Sequence, residues 1–360
     1  MNGESGAGPP GSGGPGGGFA PVLPAIPGLV VRPWRGDADF GPMAEARNAA
    51  FLTDGLDETT TGEILGNEIR HDPRLNPTRD ISIVELAGAA VGYAVRWRWV
   101  EEASGDAVLS HRCYLALVVR RRGVGRAILR ANEASLAAES LAPTAGDGRR
   151  WFETWADDGA AGARALLAAE GYEPARWFFL MLRPSLEATP DVPPPPGIEV
   201  RPVRDRAAAW PVMRADDEAF RDHWGYRPTL PEEIEGYLDD PRQDLALWQV
   251  AWDGDEVAGS VLPLIDAAEN ERFGRRRGWI DSVSVRRPWR RQGVARALLG
   301  RGLEALRERG MAEAVLGVDA DNPQGALGLY ESVGFELHRR SAVYRKPAPP
   351  APPRPAAPTG

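Results

Sequence analysis

WIDSVSVRRPWRRQGVARALL, residues 279–299, carries three kinds of local structure in direct succession. Residues 280–285 alternate enough β-branched side chains to form a strand, residues 286–291 are a basic turn, and from Gln292 onward the pattern becomes helical. A strand, a glycine-bearing basic loop and a helix N-terminus in that order make an anion site. The first amides of a helix have no intrahelical acceptor, and the helix dipole adds partial positive charge at the same point. Gly293 and the small Ala295 let a phosphate lie against the backbone, while Arg287, Arg290, Arg291 and Arg296 add formal charge. The plainer alternative is a solvated arginine turn ahead of an ordinary amphipathic helix. A Walker-type nucleotide loop does not fit, because no Gly-Lys-Ser/Thr follows and Lys346 is the only lysine.

The chain around this stretch has 360 residues, 43% of them hydrophobic, which suits two ordinary cores better than one. A formal charge of −8 argues against a general nucleic-acid binder despite the arginine turns. Cys113 is the only cysteine, so no internal disulfide and no cysteine-rich metal site can form. His71, His111, His223 and His338 lack ligand spacing, and no metal is expected. No run approaches the ~18 apolar residues of a membrane helix. Residues 1–27 are rich in Gly and Pro, with no basic segment ahead of an apolar one, and read as a disordered tail, not a signal peptide. The expectation is a cytoplasmic protein with no membrane or nucleic-acid partner.

Order should begin near Gly28. Strands are expected at residues 29–33, 81–85, 90–100, 107–118, 151–155 and 172–182, with helices at 37–51, 124–138 and 160–169, the last stopped by Gly171. This alternation predicts a mixed α/β sheet covered by helices. Residues 184–197, with four consecutive prolines at 193–196, read as a stiff, extended linker. After it the order repeats. Val31-Arg32-Pro33 returns as Val200-Arg201-Pro202, the basic glycine loop at residues 120–125 returns at 290–295, and Gly171-Tyr172 returns as Gly334-Phe335. The near-constant spacing implies two copies of one domain, 28–183 and 198–346, followed by a disordered Pro/Ala-rich tail from 347 to 360. The expected assembly is a monomer whose two halves form an intramolecular pseudo-dimer.

The loop resembles the acetyl-CoA-binding motif of the Gcn5-related N-acetyltransferase (GNAT) superfamily: Gln or Arg, two residues, Gly, one residue, then Gly or Ala. Arg290, Gly293 and Ala295 meet it. A second marker follows in the same copy. Asn322 is a good N-cap, Pro323 suits the first helical position, and Ala326, Tyr330 and Val333 share one face of the helix that follows. This resembles the last helix of GNAT enzymes, where the Asn lies beside the pantetheine arm and the Tyr hydroxyl sits close to the sulfur. The resemblance implies a mixed, largely antiparallel sheet flanked by helices, in two tandem GNAT-like acyl-CoA N-acyltransferase domains. It also implies acetyl-CoA as co-substrate, cradled by Arg290, Arg291, Gln292, Gly293, Val294, Ala295 and Arg296.

Acyl transfer from a thioester needs an unprotonated amine, a donor to the developing oxyanion and a proton for the leaving thiolate. By the resemblance, the backbone from Val283 to Val285 supplies the donor, Tyr330 the proton, and Asn322 a contact to the cofactor. Asp281, on the same strand, is one candidate base, and a solvent-facing strand residue is its plainer reading. His223, in the aromatic-rich stretch from Phe220 to Tyr226, is the other, since a neutral imidazole is matched to neutral pH.

The first copy departs from this pattern. Arg122, Gly123, Val124 and Gly125 keep a phosphate cradle, but Leu167 stands where Tyr330 stands, and Asp158 or Gly159 matches Asn322. Such a layout, with one complete site in two halves, is similar to the two-domain mycothiol synthase branch of the family. The arginine-over-lysine bias suits the GC-rich genomes in which that branch occurs. The expected function is therefore transfer of an acetyl group to a primary amine of a small molecule, by direct attack in a ternary complex, on the C-terminal domain. Alternatives are a non-catalytic acyl-CoA-binding or regulatory module, a mycothiol synthase-like enzyme, or a protein N-acetyltransferase.

Overall fold

The computed structural model describes residues 19–146, 148–322 and 325–353. The first half runs β1 (Leu29–Pro33), α1 (Phe40–Thr53), α2 (Gly62–Arg70), a single turn α3 (Pro77–Asp80), β2 (Ile81–Leu86), β3 (Ala89–Val100) and β4 (Ala107–Leu115). It continues through α4 (Val124–Ala137), β5 (Arg150–Asp157), α5 (Ala161–Ala169) and β6 (Glu173–Arg183). The second half repeats this order, without a counterpart of α3 and with a helix, α8, added before β10: β7 (Ile198–Arg201), α6 (Arg206–Phe220), α7 (Pro231–Leu238), β8 (Gln249–Asp253), β9 (Glu256–Leu264), α8 (Ala267–Phe273) and β10 (Arg277–Val285). Then come α9 (Val294–Glu308), β11 (Glu313–Asp319), α10 (Ala326–Ser332) and β12 (Glu336–Pro347). The sequence offers no element between residues 51 and 81, yet α2 forms there. Thr61 caps it, its side chain accepting from the Ile64 amide at 3.2 Å.

Twelve strands make one sheet in the order β1-β2-β3-β4-β5-β12-β6-β11-β10-β9-β8-β7. The two halves have exchanged their last strands: β12 pairs with β5 of the first half, and β6 pairs with β11 of the second. Each traveller brings core side chains with it. Met181 of β6 is buried in the core of the second half, and Ala342 and Tyr344 of β12 in that of the first. The boundaries expected at 28–183 and 198–346 therefore do not enclose two closed sheets. Exchange leaves no free edge at the centre of the molecule, because β6 and β12 also pair with each other. Ion pairs reinforce the join: Arg176 grips Asp319 bidentately at 2.8 Å, and Arg277 reaches Asp57 at 2.6 Å.

Two segments expected to be loose are docked. Residues 184–197 pack on the second half, with Leu186 buried and its amide bonded to the Ala312 carbonyl at 2.9 Å. Pro190 passes so close to α9 that a Cβ on Gly300 would lie 2.2 Å from its carbonyl oxygen. Prolines keep this segment extended, as expected, but it serves as a strap and not as a spacer. In the expected N-terminal tail, residues 1–18 lie outside the described residues. Residues 19–27 are ordered: Phe19, Leu23 and Ile26 pack against the core around Val84, Val119 and Val124, and the Arg96 guanidinium stands 4.3 Å from the Phe19 ring centre. At the other end the chain stays bonded past 347, since the Ala348 amide donates to Arg150 O and Arg150 to Pro349 O, while residues 354–360 lie outside the described part. No helix among the described residues is long and apolar enough to cross a membrane.

Each half opens its sheet at the same place. β10 and β11 pair in parallel only from Arg277 to Trp279, although β10 runs on to Val285 and β11 to Asp319. β4 and β5 likewise pair only from Ala107 to Ser110. The strands splay beyond those points, and the polar backbone groups of the inner edges lose their ladder partners.

Candidate active site

The two glycine loops adopt the same backbone form. Arg291 (φ 64°) and Gly293 (φ 91°) are left-handed in the second half, as are Arg121 (φ 59°) and Gly123 (φ 85°) in the first. Gly293 caps α9, so the first amides of that helix have no partner within it, and a Cβ at Gly293 would meet nothing within 4 Å. The cradle is open in the direction a phosphate would come from.

Around it, one cleft of about 1140 Å³ takes in walls from both halves. Val283, Val285, Arg290, Arg291, Gly293, Val294, Ala295, Arg296, Asn322, Tyr330, Asp281 and His223 all line it. Gln292 does not; its Nε2 turns back to the Pro288 carbonyl at 2.9 Å. In the first half only Gly125 of the four expected cradle residues lines the cleft. Val124 is buried in the core beside the N-terminal strap, Gly123 comes within van der Waals reach of Pro24, and Arg122 is exposed with Nη1 on Val118 O at 3.5 Å.

Arg290 reaches the cleft wall, but its charge is already spent. Its Nε donates to Val285 O at 2.9 Å, Nη2 to Ala219 O at 2.9 Å and Nη1 to Asp222 Oδ2 at 2.8 Å. Arg287 binds the same carboxylate, and these two guanidinium groups hold the Asp222 carboxyl well below the usual range. Arg290 therefore shapes the loop, and the free formal charge at the cradle comes from Arg291 and Arg296. The first half repeats the device with Arg120 on Asp54. Asp222 was legible in principle, because it and Asp54 recur at matching places in the repeat.

Backbone polarity in the opened strand follows from pairing. Arg286 N bonds to Ala258 O, so in the alternation of an antiparallel ladder the groups of Val283 and Val285 point away from β9, into the splay. The register between β10 and β9 slips between Ile280 and Ser282. This bulge re-aims side chains. Ile280, Val283 and Val285 pack toward α9, whereas Asp281 and Ser282 both face α6 and α7. There the Tyr237 hydroxyl donates to Asp281 Oδ2 at 2.7 Å, and the Ser282 hydroxyl to Asp216 Oδ1 at 2.7 Å. Asp281 touches cleft solvent yet is surrounded by protein, and burial raises its carboxyl above the usual range. Burial pushes Asp216 up to about 6, opposed by the serine hydroxyls and assisted by the charge of Asp281. Asp216 and Tyr237 carry no sequence signal; Asp216-Asp217-Glu218 reads as a solvated helix face.

Tyr330 is buried on α10, its ring edge-on to Phe335 at 6.2 Å between centres. Burial raises its phenol to about 12, so it holds its proton at neutral pH. Asn322 does not cap α10. The helix begins at Ala326 behind a left-handed Gly325 (φ 75°), and Asn322 opens the preceding turn by accepting the Gly325 amide at 3.2 Å. Pro323, expected at the first helical position, lies outside the described residues. The Nδ2 of Asn322 stands 3.4 Å from Nε2 of His223, which packs edge-on to Phe220. Burial lowers the imidazole pKa, leaving it neutral.

The first half keeps the shell of this arrangement with different side chains in it. Leu167, matching Tyr330, is buried in the core. β4 pairs with β3 in unbroken register, so no bulge turns a carboxylate toward α1. His111, matching Asp281, faces α4 instead and bonds to the Tyr172 hydroxyl at 2.8 Å, its pKa pushed down to about 3 by burial. Trp155 stacks on Phe178 at 4.7 Å in the splay.

Comparison with known proteins identifies the family. Residues 210–335 match the acetyltransferase (GNAT) family. Mycothiol acetyltransferase of Thermomonospora curvata is 30% identical over 331 residues, spanning 84% of this chain and 98% of that protein. That of Salinispora tropica is 30% identical over 304 residues, 83% of this chain and 89% of its own. Among solved structures, a GCN5-related N-acetyltransferase from Sphaerobacter thermophilus aligns with a TM-score of 0.64 at 26% identity, covering 92% of this chain and 98% of its own. A tandem GNAT protein from the clavulanic acid biosynthesis pathway shares the fold, with a TM-score of 0.61 at 16% identity over 90% of this chain and 100% of its own. With a duplicated glycine loop, a splayed sheet and full-length relatives of this kind, the chain belongs to the GNAT acetyltransferase family and is an acyltransferase.

Proposed function

We propose that the second half transfers an acetyl group from acetyl-CoA to a primary amine of a small molecule, by direct attack with both substrates bound. The observation that carries this is the edge of Val283 and Val285 left without a β11 partner in the splay, with the open Gly293 cradle and the protonated Tyr330 lining the same cleft. Acetyl-CoA would supply an acetyl group activated as a thioester. The α9 amides with Arg291 and Arg296 hold its phosphates, and the Val283–Val285 edge takes its amide-bearing arm by strand-like pairing. Asp281 accepts a proton from the amine, directly or through water, while Tyr237 and the bulge hold its carboxylate in place. Tyr330 donates the phenolic proton to the leaving sulfur. His223, neutral and beside Asn322, is the second candidate base.

The name of the curated relatives makes an amine-bearing mycothiol precursor the first acceptor to try. The test is calorimetric titration with acetyl-CoA of the wild type and of Gly293→Glu, followed by thiol-release assays with amines. Loss of a binding site in Gly293→Glu supports the second half as the working domain. Binding left intact in that variant, or release of thiol that persists in it, would overturn the assignment.

A further inference from the structure

In each half one side of the opened strand faces the first two helices, the side from which the proposed acceptor approaches in the second half. These two chambers line one cleft and have opposite character. Around β10 the groups are Asp281, Ser282, Asp216 and the Tyr237 hydroxyl. Around β4 they are guanidinium groups on aromatic rings. Arg112 replaces Ser282 in the repeat, and Tyr114, two residues on, shares its face. Arg47 of α1 lies over Tyr114 at 5.4 Å and over Phe51 at 5.2 Å, and Arg112 lies over Trp155 at 5.1 Å.

Neither arginine is neutralised as Arg120, Arg290 and Arg339 are, and unlike the exposed Arg121, Arg291, Arg296 and Arg340 of the same cleft both are partly withdrawn from water. Arg120, Arg290 and Arg339 each hold a carboxylate at 3.2 Å or closer. Among the described residues the Arg112 side chain has no hydrogen-bond or ion-pair partner; Asp157 and Glu153, the carboxylates that feel its charge, are already held by Arg339 at 3.0 Å and Arg345 at 2.7 Å. Arg47 has the Tyr93 hydroxyl, which brings no charge, and Glu68 at 3.7 Å, a half-exposed side chain, and its buried Nε has no partner. Two guanidinium groups half-withdrawn from water, with open donors and fixed by ring stacking, are costly unless an anion completes them. Stacking leaves the planar edge of each guanidinium free for bidentate contact.

We propose that this chamber of the first half binds an oxyanion, a carboxylate or phosphate group of a small molecule, through Arg112 and Arg47. The site lies on the α1 face of β4, apart from the glycine loop of that half. Its occupant is either the anionic tail of the acceptor or a separate anionic effector that shares the cleft. Binding there does not depend on which half catalyses transfer.

The first arm of the test is binding. Protein saturated with acetyl-CoA, so that competent glycine loops are filled, is titrated calorimetrically with glutarate and with inorganic phosphate, and neutral glutaramide is the control. The expected result is binding of the anions alone, weakened about tenfold or more in Arg112→Gln/Arg47→Gln, as loss of one charge-assisted contact implies. Arg112→Lys should keep part of the affinity. Circular dichroism and undiminished acetyl-CoA binding serve as folding controls. Equal binding of glutaramide, equal binding by the double variant, or no anion binding by the wild type would each overturn the site. The second arm separates the sources, comparing 6-aminohexanoate with 6-aminohexanamide as acceptors. A kcat/KM preference for the acid that vanishes in Arg112→Gln assigns the anion to the acceptor's tail. No such preference, with glutarate changing KM for the amide, assigns it to an effector. If neither amine is acetylated, the amine-transfer reading fails, while the binding arm still decides the anion site.

Discussion

Gly123 and Gly293 open their helices with the same left-handed turn, and Arg120 and Arg290 reach back to Asp54 and Asp222 in the same way, but the strands entering these loops have diverged. β4 keeps unbroken register with β3, whereas β10 carries a bulge that turns Asp281 and Ser282 onto one face. One extra residue in the ladder decides whether a carboxylate meets the cleft beside the cradle or points at α4. The comparison teaches that the phosphate cradle is the cheap part of this site to retain. It needs two left-handed residues and a helix, and Arg120–Asp54 holds it in the half where Leu167 stands in place of Tyr330.

The sharpest way to break the contrast is at the acid. Tyr330→Phe should lower kcat about a hundredfold or more with little change in acetyl-CoA affinity, the range expected for removing a general acid. Leu167→Tyr, at the matching place, should leave kcat unchanged. Steady-state kinetics of both variants check this, and comparable losses in the two would end the assignment of one working half.

The exchange of β6 and β12 makes a second prediction, on stability. Met181 belongs to the first half by sequence and to the second by packing. Met181→Ala should cost about 2–5 kcal/mol, the usual range for a buried truncation. Because each half lends a strand to the other, scanning calorimetry should show one transition, shifted as a whole. Two transitions, with only the first-half one moving, would break the exchange.

Asp216 offers a smaller effect with a definite sign. Its folded pKa, about 6, lies above the ordinary carboxylate value, so the native state holds the proton more tightly than the unfolded chain. The buried charge then costs stability as pH rises from about 4 through 6, and Asp216→Asn should recover about 1–2 kcal/mol at pH 8 and almost nothing at pH 4. Denaturant melts at the two pH values measure this. In activity, the acid limb of kcat/KM should lie above the ordinary carboxylate range in wild type, because burial raises Asp281, and move lower in Asp216→Asn, since the two carboxyl groups repel each other. Asn48, at the matching position, only ties down Thr60, and Asn48→Ala should leave the pH profile where it is.

A further stability measurement separates a strap from a spacer. Gly300→Ala would drive a Cβ into the Pro190 carbonyl and should destabilise by about 1–3 kcal/mol, read from its thermal midpoint. A free linker would give no change.

Most of the secondary structure and both glycine loops were legible in the sequence, because they depend on patterns a few residues long: alternation in 280–285, a glycine before a helical period, and the repeat of both at matching places. The family followed from the same loops with Tyr330 and Asn322. The α10 boundary was misread at Asn322: the helix runs from Ala326, behind the left-handed Gly325. A side chain able to cap does not reveal which residue the helix starts from.

By itself, then, the sequence determined two copies of a strand, glycine loop and helix, one with a tyrosine four residues before its terminal glycine and one with a leucine there. Only the tertiary structure decided that the copies exchange their last strands, that the proline-rich stretch is docked on α9, that Arg290 spends its charge on Asp222, and that Asp281 stands with Ser282 and Asp216. The physical reason is range. Local preferences depend on neighbours along the chain, whereas strand partners, bulges and ion pairs are set by groups far apart in sequence. Asp216 and Ser282 are brought within 2.7 Å by helix-on-sheet packing that no short pattern records.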